Sequence, residues 1–478
     1  MPYHSITFYG FAFRALARDR MNSTARLEAY RQSSLKSLLS HARQHVPFQH
    51  ERLKHIDLNN IQLEQIAPTT KSTMMEQFDD TIADRVVTLK QVIATDDGSH
   101  RPELPILKNK YLVHKSSGTS GKPSWMVTGI RDWAILRGST TGRMIRDWVT
   151  LRRACATVLY PIRSTVLAAE HAHSMTWQAA RSGELWARPF IQMKFFPVVN
   201  SVERIVADLN QYKPEYMHAY PTAVEMLARF RLDGGHIDFD PGLISVGSEA
   251  LTEMARDAIH RAFPNTILVD HYGMTECLPL STQCRFGQKH LNTDFSILEP
   301  RDANGNPASP GELSDHVLVT NLISKVQPII RYRVDDSVRI NNDICPCGSV
   351  LPRVEVFSRK GSQIHLRSDR GTWQLLSPPV VVDTMLRSHG VAQFQVIHVR
   401  QNELQVKFIP QKGIEPRDVG KSIEEQFAST LIRLGCVKSV SVSSEHVETL
   451  QRTEGGGKLI QTVSLVPAPT QEQRASAA

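Results

Sequence analysis

The chain has 478 residues, 41% of them hydrophobic and 22% charged, which is typical of a soluble globular protein and predicts roughly two to four domains. The net charge is +8, but Lys and Arg are spread along the whole chain, so we expect a mildly basic surface that attracts a polyanionic small molecule and no binding of nucleic acid. No apolar run approaches the roughly 18 residues of a transmembrane helix, and six cysteines are too few for a disulfide scaffold, so we expect a cytoplasmic protein without a membrane span.

The sequence of the N-terminal part predicts two helices with apolar packing residues. Apolar residues recur at helical spacing between residues 27 and 46, which indicates an amphipathic helix that ends before Pro47. Residues 63–78 contain Pro68, Thr70 and Lys71, which are typical of a proline-bounded helix start.

The stretch from Ser116 to Pro123 reads Ser-Ser-Gly-Thr-Ser-Gly-Lys-Pro and has the composition of a phosphate-binding loop. Its hydroxyls and amides donate hydrogen bonds, its glycines let the backbone approach a ligand closely, and Lys122 supplies positive charge. The spacing is not that of a Walker P-loop, because too few residues separate the glycines. A flexible surface loop is the alternative interpretation of this stretch.

Residues 202–270 alternate between helices and strands, which predicts a parallel α/β sheet. We predict helices over residues 202–209, 222–232 and 251–263, and strands over residues 244–246 and 266–270. Ligands bind beyond the carboxyl ends of parallel strands, so the loops that follow these two strands are candidate binding loops. They are Gly247-Ser248-Glu249 and His271-Tyr272-Gly273-Met274-Thr275-Glu276.

The Ser/Thr/Gly-rich loop and the later Tyr-Gly-x-Thr-Glu motif together resemble the adenylate-forming superfamily of acyl- and aryl-CoA ligases, and most of all its phenylacetate-CoA ligase and CapK-like branch. Three further segments are similar to that branch: Leu-Leu-Ser-His-Ala-Arg-Gln-His-Val-Pro-Phe, Pro68-Thr69-Thr70-Lys71 and Ile330-Arg331-Tyr332-Arg333. The resemblance spans residues 27–463. It implies a large N-terminal α/β domain with a parallel sheet over residues 1–357, a small α+β C-terminal lid domain over residues 358–466, and a disordered tail over residues 467–478.

The resemblance also implies roles for the motifs in the attack of a carboxylate on the α-phosphate of ATP. Thr275 would bond the α-phosphate, Glu276 would hold Mg²⁺, and Tyr272 would stack on adenine. The β- and γ-phosphates would be bound by Ser116, Ser117, Gly118, Thr119, Ser120, Gly121 and Lys122. The remaining nucleotide-binding candidates in the two strand-end loops are Gly247, Ser248, Glu249, His271, Gly273 and Met274.

Residues 328–336 read Pro-Ile-Ile-Arg-Tyr-Arg-Val-Asp-Asp and resemble the family's Ile-Arg-Tyr-Arg-Thr-Gly-Asp. By that register Asp336 is the carboxylate that accepts hydrogen bonds from the ribose hydroxyls. Asp335 is the alternative, because Val334 and Asp335 replace the Thr-Gly of the family motif. Arg359 matches the family's arginine near ribose and phosphate, in a segment that is similar to the crossing into the lid.

The C-terminal part has the pattern of a small α+β lid. Residues 394–409 alternate as two strands around Gln401-Asn402, residues 419–434 predict an amphipathic helix, and residues 437–442 predict another strand. In the glycine loop that follows, Lys458 resembles the family's catalytic lysine, whose charge stabilises the pentacoordinate phosphorus. A solvated loop lysine is the alternative.

Two short cysteine motifs predict a metal site. Cys345 and Cys347 are one residue apart, and Cys284 with His290 forms a second pair. Two such pairs separated by a long insertion indicate a Cys₃His structural zinc site, and the resembling branch carries a similar cluster. Free thiols or a redox pair are the alternatives. The other cysteines are interpreted as packing residues: Cys155, Cys277 and Cys436.

The resemblance implies an ATP- and Mg²⁺-dependent ligase that activates a carboxylic acid as an acyl-adenylate and transfers it to a thiol, with coenzyme A as the expected acceptor. The acid is expected to be aromatic or of medium size and apolar, in a pocket drawn from residues 160–173 and 220–224. One alternative is an amide synthetase or tailoring enzyme that transfers the acyl group to an amine, a carrier protein or another nucleophile. A second is a non-catalytic nucleotide-binding protein, against which Glu276 and Lys458 argue. We expect a monomer or a homodimer.

Overall fold

The computed structural model describes residues 2–19, 23–96, 103–116, 124–149, 160–188, 190–198, 200–248, 251, 253–302, 304–357, 364–376, 378–411, 413–450 and 462–466. These residues divide into two compact units. The first takes the described residues of 1–115, 125–196 and 208–358, and the second takes those of 116–124, 197–207 and 359–478. Across the described ranges, each helix is too short or too polar to cross a bilayer.

The helices in chain order are α1 (Pro2–Asp19), α2 (Thr24–His45), α3 (Pro47–Leu53), α4 (Lys71–Glu76), α5 (Leu89–Ile93), α6 (Ile130–Met144), α7 (Met175–Trp186), α8 (Val202–Tyr212), α9 (Pro221–Leu232), α10 (Glu253–Ala262), α11 (Pro378–Arg387) and α12 (Pro416–Arg433). Short 3₁₀ helices cover Leu63–Gln65 and Phe78–Thr81. Thr70 caps the start of α4, because its side-chain oxygen accepts a hydrogen bond of 3.2 Å from the amide of Thr73.

The strands are β1 (Ile106–Leu107), β2 (Tyr111–Lys115), β3 (Trp125–Gly129), β4 (Ile162–Ala168), β5 (Ile191–Pro197), β6 (Tyr216–Ala219), β7 (Leu243–Val246), β8 (Ile267–Met274), β9 (Cys277–Gln283), β10 (Lys289–Leu291), β11 (Ser296–Arg301), β12 (His316–Asn321), β13 (Tyr332–Val334), β14 (Ser337–Asn341), β15 (Arg353–Phe357), β16 (Ile364–Arg367), β17 (Trp373–Leu376), β18 (Val391–Arg400), β19 (Glu403–Pro410), β20 (Ser441–His446) and β21 (Thr462–Ser464).

A nine-stranded sheet forms the centre of the first unit, in the order β14-β15-β10-β9-β8-β7-β6-β4-β5. Strands β4, β6, β7 and β8 run parallel, and β9, β10, β15 and β14 continue the sheet as antiparallel neighbours. The helices α9 and α10 connect β6 to β7 and β7 to β8. The expected α/β fold with a parallel sheet is therefore confirmed.

The second predicted binding loop is shorter than expected, because β8 runs on to Met274. His271 and Tyr272 pair with Thr282 and Ser281 of β9, so these residues belong to a strand. The prediction that β8 ends at residue 270 was wrong because this antiparallel pairing joins residues that a local pattern does not connect.

Helix α6 is held closely against α1, and two glycines make this contact possible. A Cβ at Gly138 would lie 2.2 Å from the carbonyl oxygen of Phe8, and one at Gly142 would lie 2.4 Å from that of Ala12. Both distances are far below van der Waals contact. On its other side α6 is tied to the loop before β11 by a buried ion pair of 2.9 Å between Arg143 and Asp294.

The C-terminal part of the second unit is a four-stranded sheet, β20-β19-β18-β21, with its own hydrophobic core. The predicted hairpin over residues 394–409 and the helix over residues 419–434 are confirmed as β18, β19 and α12. The predicted bounds of the strand over residues 437–442 were wrong, because β20 begins at Ser441, which pairs in parallel with Glu403 of β19. This α+β unit agrees with the expected fold class.

Candidate functional site

A two-residue turn between β8 and β9 carries Thr275 and Glu276. Met274 pairs with Cys277 across the ladder, so the two residues between them close the hairpin. The carbonyl oxygen of Glu276 accepts a hydrogen bond of 3.1 Å from the Nδ2 atom of Asn321, a buried residue at the end of β12. A cavity of about 10 Å³ beside the turn has room for roughly one water.

The Glu276 carboxyl lies among polar groups from other segments. Burial raises the pKa of this carboxyl, while the charge of Lys71 and a hydrogen bond with the Tyr332 side chain act in the opposite direction. The nearby charge of Asp336 raises the pKa further. Two carboxylates therefore lie in one region of the structure, and one of them is next to a lysine.

Tyr272 in β8 and Asp336 before β14 form a polar pair. The Tyr272 hydroxyl donates a hydrogen bond of 2.7 Å to Oδ2 of Asp336, and burial with the neighbouring carboxylate raises the pKa of this hydroxyl well above its usual value. Asp335 is exposed and accepts a hydrogen bond of 3.4 Å from Nε of Arg333. Of the two acids that the sequence left open, Asp336 is the one that contacts Tyr272.

The two segments that contribute Lys71 and Tyr332 lie side by side. The amide of Thr69 donates to the carbonyl of Arg331 at 3.0 Å, and the amide of Arg333 donates to the carbonyl of Thr69 at 2.8 Å. Arg331 is buried and adopts a φ of 49°, a conformation that costs energy for a non-glycine residue. Its ion pair of 3.1 Å with Glu299 helps to hold that conformation.

The loop after β7 packs its backbone against the His271 ring. A Cβ at Gly247 would lie 2.2 Å from Cε1 of His271, so only glycine fits beside this imidazole. Ser248 follows with a φ of 70°, which is uncommon for a residue with a side chain. Gly273 also packs closely, since its Cβ would lie 2.5 Å from a methyl group of Leu278.

Ser116 lies at the base of the Ser/Thr/Gly-rich stretch, just after β2. Its amide donates to the carbonyl of Ser124 at 2.9 Å, and the two hydroxyls are 2.7 Å apart. These contacts join the two described residues that flank positions 117–123. Nine further predicted site residues lie outside the described residues: Ser117, Gly118, Thr119, Ser120, Gly121, Lys122, Glu249, Arg359 and Lys458.

Asn321 is a residue that sequence reasoning missed. Besides its bond to Glu276, its Oδ1 accepts hydrogen bonds from the amides of Ile323 and Ser324 at 3.0 and 3.2 Å. It therefore connects the turn after β8 to the turn after β12. An Asn at the end of a strand is a common turn residue, and this local pattern does not indicate that its side chain reaches another strand.

A second cluster lies at the β9–β10 end of the sheet and consists of Cys284, His290, Cys345 and Cys347. The four candidate ligand atoms lie within 4.8 Å of one another. The Sγ atoms of Cys284 and Cys345 are 3.8 Å apart, and Sγ of Cys347 is 3.4 Å from Nε2 of His290. Zinc bonds of about 2.3 Å to sulfur and 2.0 Å to nitrogen in a tetrahedron require separations of roughly 3.5–3.8 Å. These two separations are close to those values, and three thiols with one imidazole are a donor set that zinc accepts.

The surroundings of the cluster also suit a metal. The Nδ1 atom of His290 is 2.8 Å from the carbonyl of Leu351, which leaves Nε2 for a metal. Burial disfavours the Cys284 thiolate, but hydrogen bonds from His290 and from the backbone of Phe286 and Gln288 outweigh it and lower the pKa of the thiol to about 6. Cys277 is buried and apart from this cluster, as expected for a packing cysteine.

Comparison with known proteins identifies the family. The family model described as "AMP-binding enzyme" matches residues 28–313. Protein CapK of Staphylococcus aureus is 29% identical over 140 residues, which are 29% of this chain and 29% of that protein. The match therefore covers less than a third of the length of this curated relative.

Solved structures of 2-hydroxyisobutyryl-CoA ligase share the fold at 18% sequence identity. An open conformation in complex with 2-HIB-AMP and CoA gives a TM-score of 0.54 and covers 91% of both chains. The complex with the same molecules in the thioesterification state gives a TM-score of 0.57 and covers 94% of this chain and 91% of that one. Because the family model covers more than half of the 478 residues, the chain belongs to the AMP-binding enzyme family.

Proposed function

We propose that the protein is an AMP-forming acid–thiol ligase that activates a carboxylic acid with ATP and transfers the acyl group to coenzyme A. The observation that carries the proposal is the meeting of Glu276, Tyr272 and Asp336 at the carboxyl end of β8, where a parallel sheet binds ligands. Membership of the AMP-binding enzyme family supports ATP as the nucleotide substrate. The 2-hydroxyisobutyryl-CoA ligase structures hold an acyl-AMP and CoA, and they support both half-reactions.

In the first half-reaction a carboxylate oxygen of the acid attacks the α-phosphorus of ATP. The bond from that phosphorus to the bridging oxygen breaks, and pyrophosphate leaves. We assign the charge stabilisation on the phosphates to Ser116–Lys122, Thr275 and Lys458. Asp336, oriented by Tyr272, accepts hydrogen bonds from the ribose hydroxyls. In the second half-reaction the CoA sulfur attacks the acyl carbon and AMP leaves.

Glu276 is the residue that we assign to Mg²⁺. Magnesium is usually held by one or two carboxylates together with substrate phosphates, and the carboxyl group of Glu276 with Asp336 nearby fits that ligand set. When bound, the ion would neutralise charge on the phosphates. Lys71, also beside Glu276, supplies further positive charge to the same region.

We assign the body of the acid to a pocket drawn from residues 160–173 and 220–224, with an aromatic or medium-sized apolar acid as the substrate class. We further propose that Cys284, His290, Cys345 and Cys347 hold a structural zinc ion, because their ligand atoms lie within 4.8 Å of one another and two of the separations are close to those of tetrahedral ligands.

Pyrophosphate release with ATP, Mg²⁺ and a panel of carboxylic acids tests the proposal, in the presence and absence of CoA. We expect at least one acid to release pyrophosphate and CoA to accelerate AMP release with that acid. Lys458→Ala should lower ATP–pyrophosphate exchange by about 100-fold or more. Lys421→Ala, at a lysine whose side chain is 77% exposed, is the matched control and should keep the parent rate.

Two results would replace this proposal. Turnover with amines or a carrier protein but not with CoA would make the protein an amide synthetase or tailoring enzyme. Nucleotide binding without pyrophosphate release from any acid would make it a non-catalytic nucleotide-binding protein.

A further inference from the structure

A polar cluster lies on the face of the central sheet that α6 covers, and the proposed chemistry does not use it. The cluster consists of Arg137, Tyr216, His218, Ser245 and His271. His218 and Ser245 are direct partners in the parallel ladder of β6 and β7, and Ser245 is the partner of Val269 in β8. Because side chains alternate between the two faces of a strand, Tyr216 and His271 share this face.

Direct contacts connect the four members of the cluster that lie on the sheet. The Ser245 hydroxyl is 2.8 Å from the Tyr216 hydroxyl and 2.8 Å from Nδ1 of His218. The rings of His218 and His271 are 5.2 Å apart between centroids. The charge of Arg137 reaches both imidazoles, where it lowers each pKa after the larger effect of burial. The Tyr216 hydroxyl is also 3.5 Å from Sδ of Met144 in α6, so the four sheet residues lie against the helix that carries Arg137.

Arg137 brings a positive charge that no acidic side chain among the described residues neutralises by an ion pair. The hydrogen bond from its Nη2 to the carbonyl of Ala179 is long, at 3.5 Å. Burial lowers the pKa of the guanidinium to about 10, so the group is still charged at neutral pH. A desolvated cation without a counter-ion is unfavourable, and a bound anion would remove that cost.

The histidines are neutral at neutral pH, because burial lowers the pKa of His218 well below its usual value and that of His271 to about 4. The site therefore has one positive charge, which matches one carboxylate. Nδ1 of His271 is buried without a hydrogen-bond partner among the described residues. An anion beside His218 would select the tautomer in which Ser245 donates to Nδ1 and Nε2 carries the proton.

The cluster also retains access to small molecules. Arg137 and His218 both keep part of their surface accessible, although burial dominates the pKa of each. His271 precedes Thr275 by four residues in the chain, which is about 13 Å along an extended strand. This separation allows one acid to reach both places.

We propose that Arg137, His218 and His271 form a subsite for a second carboxylate of the substrate acid, at the end opposite to the carboxyl group that is activated. The protein then prefers dicarboxylic acids, with an apolar body between the two charges, over monocarboxylic acids of the same length. This inference rests on the proposed function, because it concerns the acid of that reaction.

Isothermal titration calorimetry without ATP or CoA tests the subsite directly. The probes are the straight-chain dicarboxylates from succinate to suberate and 1,4-phenylenediacetate, each paired with the monocarboxylate that lacks one carboxyl group. We expect at least one dicarboxylate to bind roughly tenfold to a hundredfold more tightly than its partner, the range for a charged hydrogen bond. The same pairs are then compared by kcat/KM in pyrophosphate exchange.

Arg137→Met should abolish the preference for the second carboxylate, and Arg137→Lys should restore part of it. Because Arg137 lacks a counter-ion among the described residues, Arg137→Met should leave the Tm unchanged or raise it, whereas loss of a merely structural arginine would lower it. Arg131→Met, at an exposed arginine of α6, is the control and should keep the preference.

Equal binding of every pair, or a preference that survives Arg137→Met, would overturn the subsite. These outcomes are separate from failure of the proposed function, in which the calorimetric preference for a dicarboxylate is present but no acid releases pyrophosphate.

Discussion

Single hydrogen bonds position one carboxylate and one turn of the site. Tyr272 donates to Asp336 at 2.7 Å, and Asn321 donates to the backbone of Glu276 at 3.1 Å. The second bond acts on the main chain, so it positions the whole turn that carries Thr275 and Glu276. Neither donor would react with substrate in the proposed mechanism, and both are positioning residues.

We therefore expect Asn321→Asp to lower both kcat and the free energy of unfolding. The aspartate keeps the oxygen that accepts from Ile323 and Ser324 but loses the amide that donates to Glu276. The amide donates two hydrogen bonds, to Glu276 and to Oγ of Ser324; losing them costs about 1 kcal/mol each, and the buried carboxylate adds a desolvation cost. A turn displaced by a fraction of an ångström lowers the rate through misalignment. Pyrophosphate exchange and thermal unfolding measure the two effects.

Asn321→Ala is the matched comparison, since it removes the donor and the acceptor together. It should lower both the rate and the Tm. An Asn321→Asp protein with the parental rate would mean that the bond to Glu276 does not position the turn.

At the scale of elements, the cysteine and histidine cluster connects strands that are distant in sequence. His290 is in β10, Cys284 follows β9, and Cys345 and Cys347 precede β15, which pairs with β10. A metal ion at this point would crosslink the antiparallel edge of the central sheet. Such a crosslink stabilises the fold, because the binding free energy adds to the free energy of folding.

Metal analysis of protein purified without chelator should find close to one zinc per chain. Cys345→Ser should lose the zinc and lower the Tm, while Cys436→Ser, which changes a buried cysteine in the second unit, should keep it. A zinc content near zero in the parent protein, or an unchanged content in Cys345→Ser, would remove this site.

At the scale of the whole molecule, buried histidines make stability dependent on pH. His114 is 0% exposed, and burial lowers its pKa to about 3, whereas an unfolded chain has a histidine pKa near 6.5. Below pH 6.5 the unfolded state binds a proton that the folded state does not. The free energy of unfolding therefore falls by up to about 1.4 kcal/mol per pH unit for this residue as the pH drops.

Urea unfolding followed by tryptophan fluorescence between pH 7.5 and pH 5 measures this loss. His114→Leu should reduce the pH dependence, and His55→Leu, at an exposed histidine, should leave it unchanged. Identical pH dependence in the parent and His114→Leu proteins would show that His114 is protonated without unfolding.

Local patterns predicted the order of the elements but not the contacts that depend on distant pairing. The helices and strands over residues 202–270 could be predicted because each apolar run is bounded by turn residues. The extension of β8 to Met274 and the contact of Asn321 with Glu276 depend on pairing between distant strands. The Arg137 cluster required the register of three strands and the position of α6, which a single sequence does not contain.

The contact between Gly247 and His271 has a consequence for how the site could change during evolution. A Cβ at position 247 and an imidazole at position 271 cannot occupy the same space, since they would lie 2.2 Å apart. A lineage that acquires alanine at position 247 must shift the histidine ring or replace it with a smaller side chain. The effects of substitutions at the two positions therefore depend on each other.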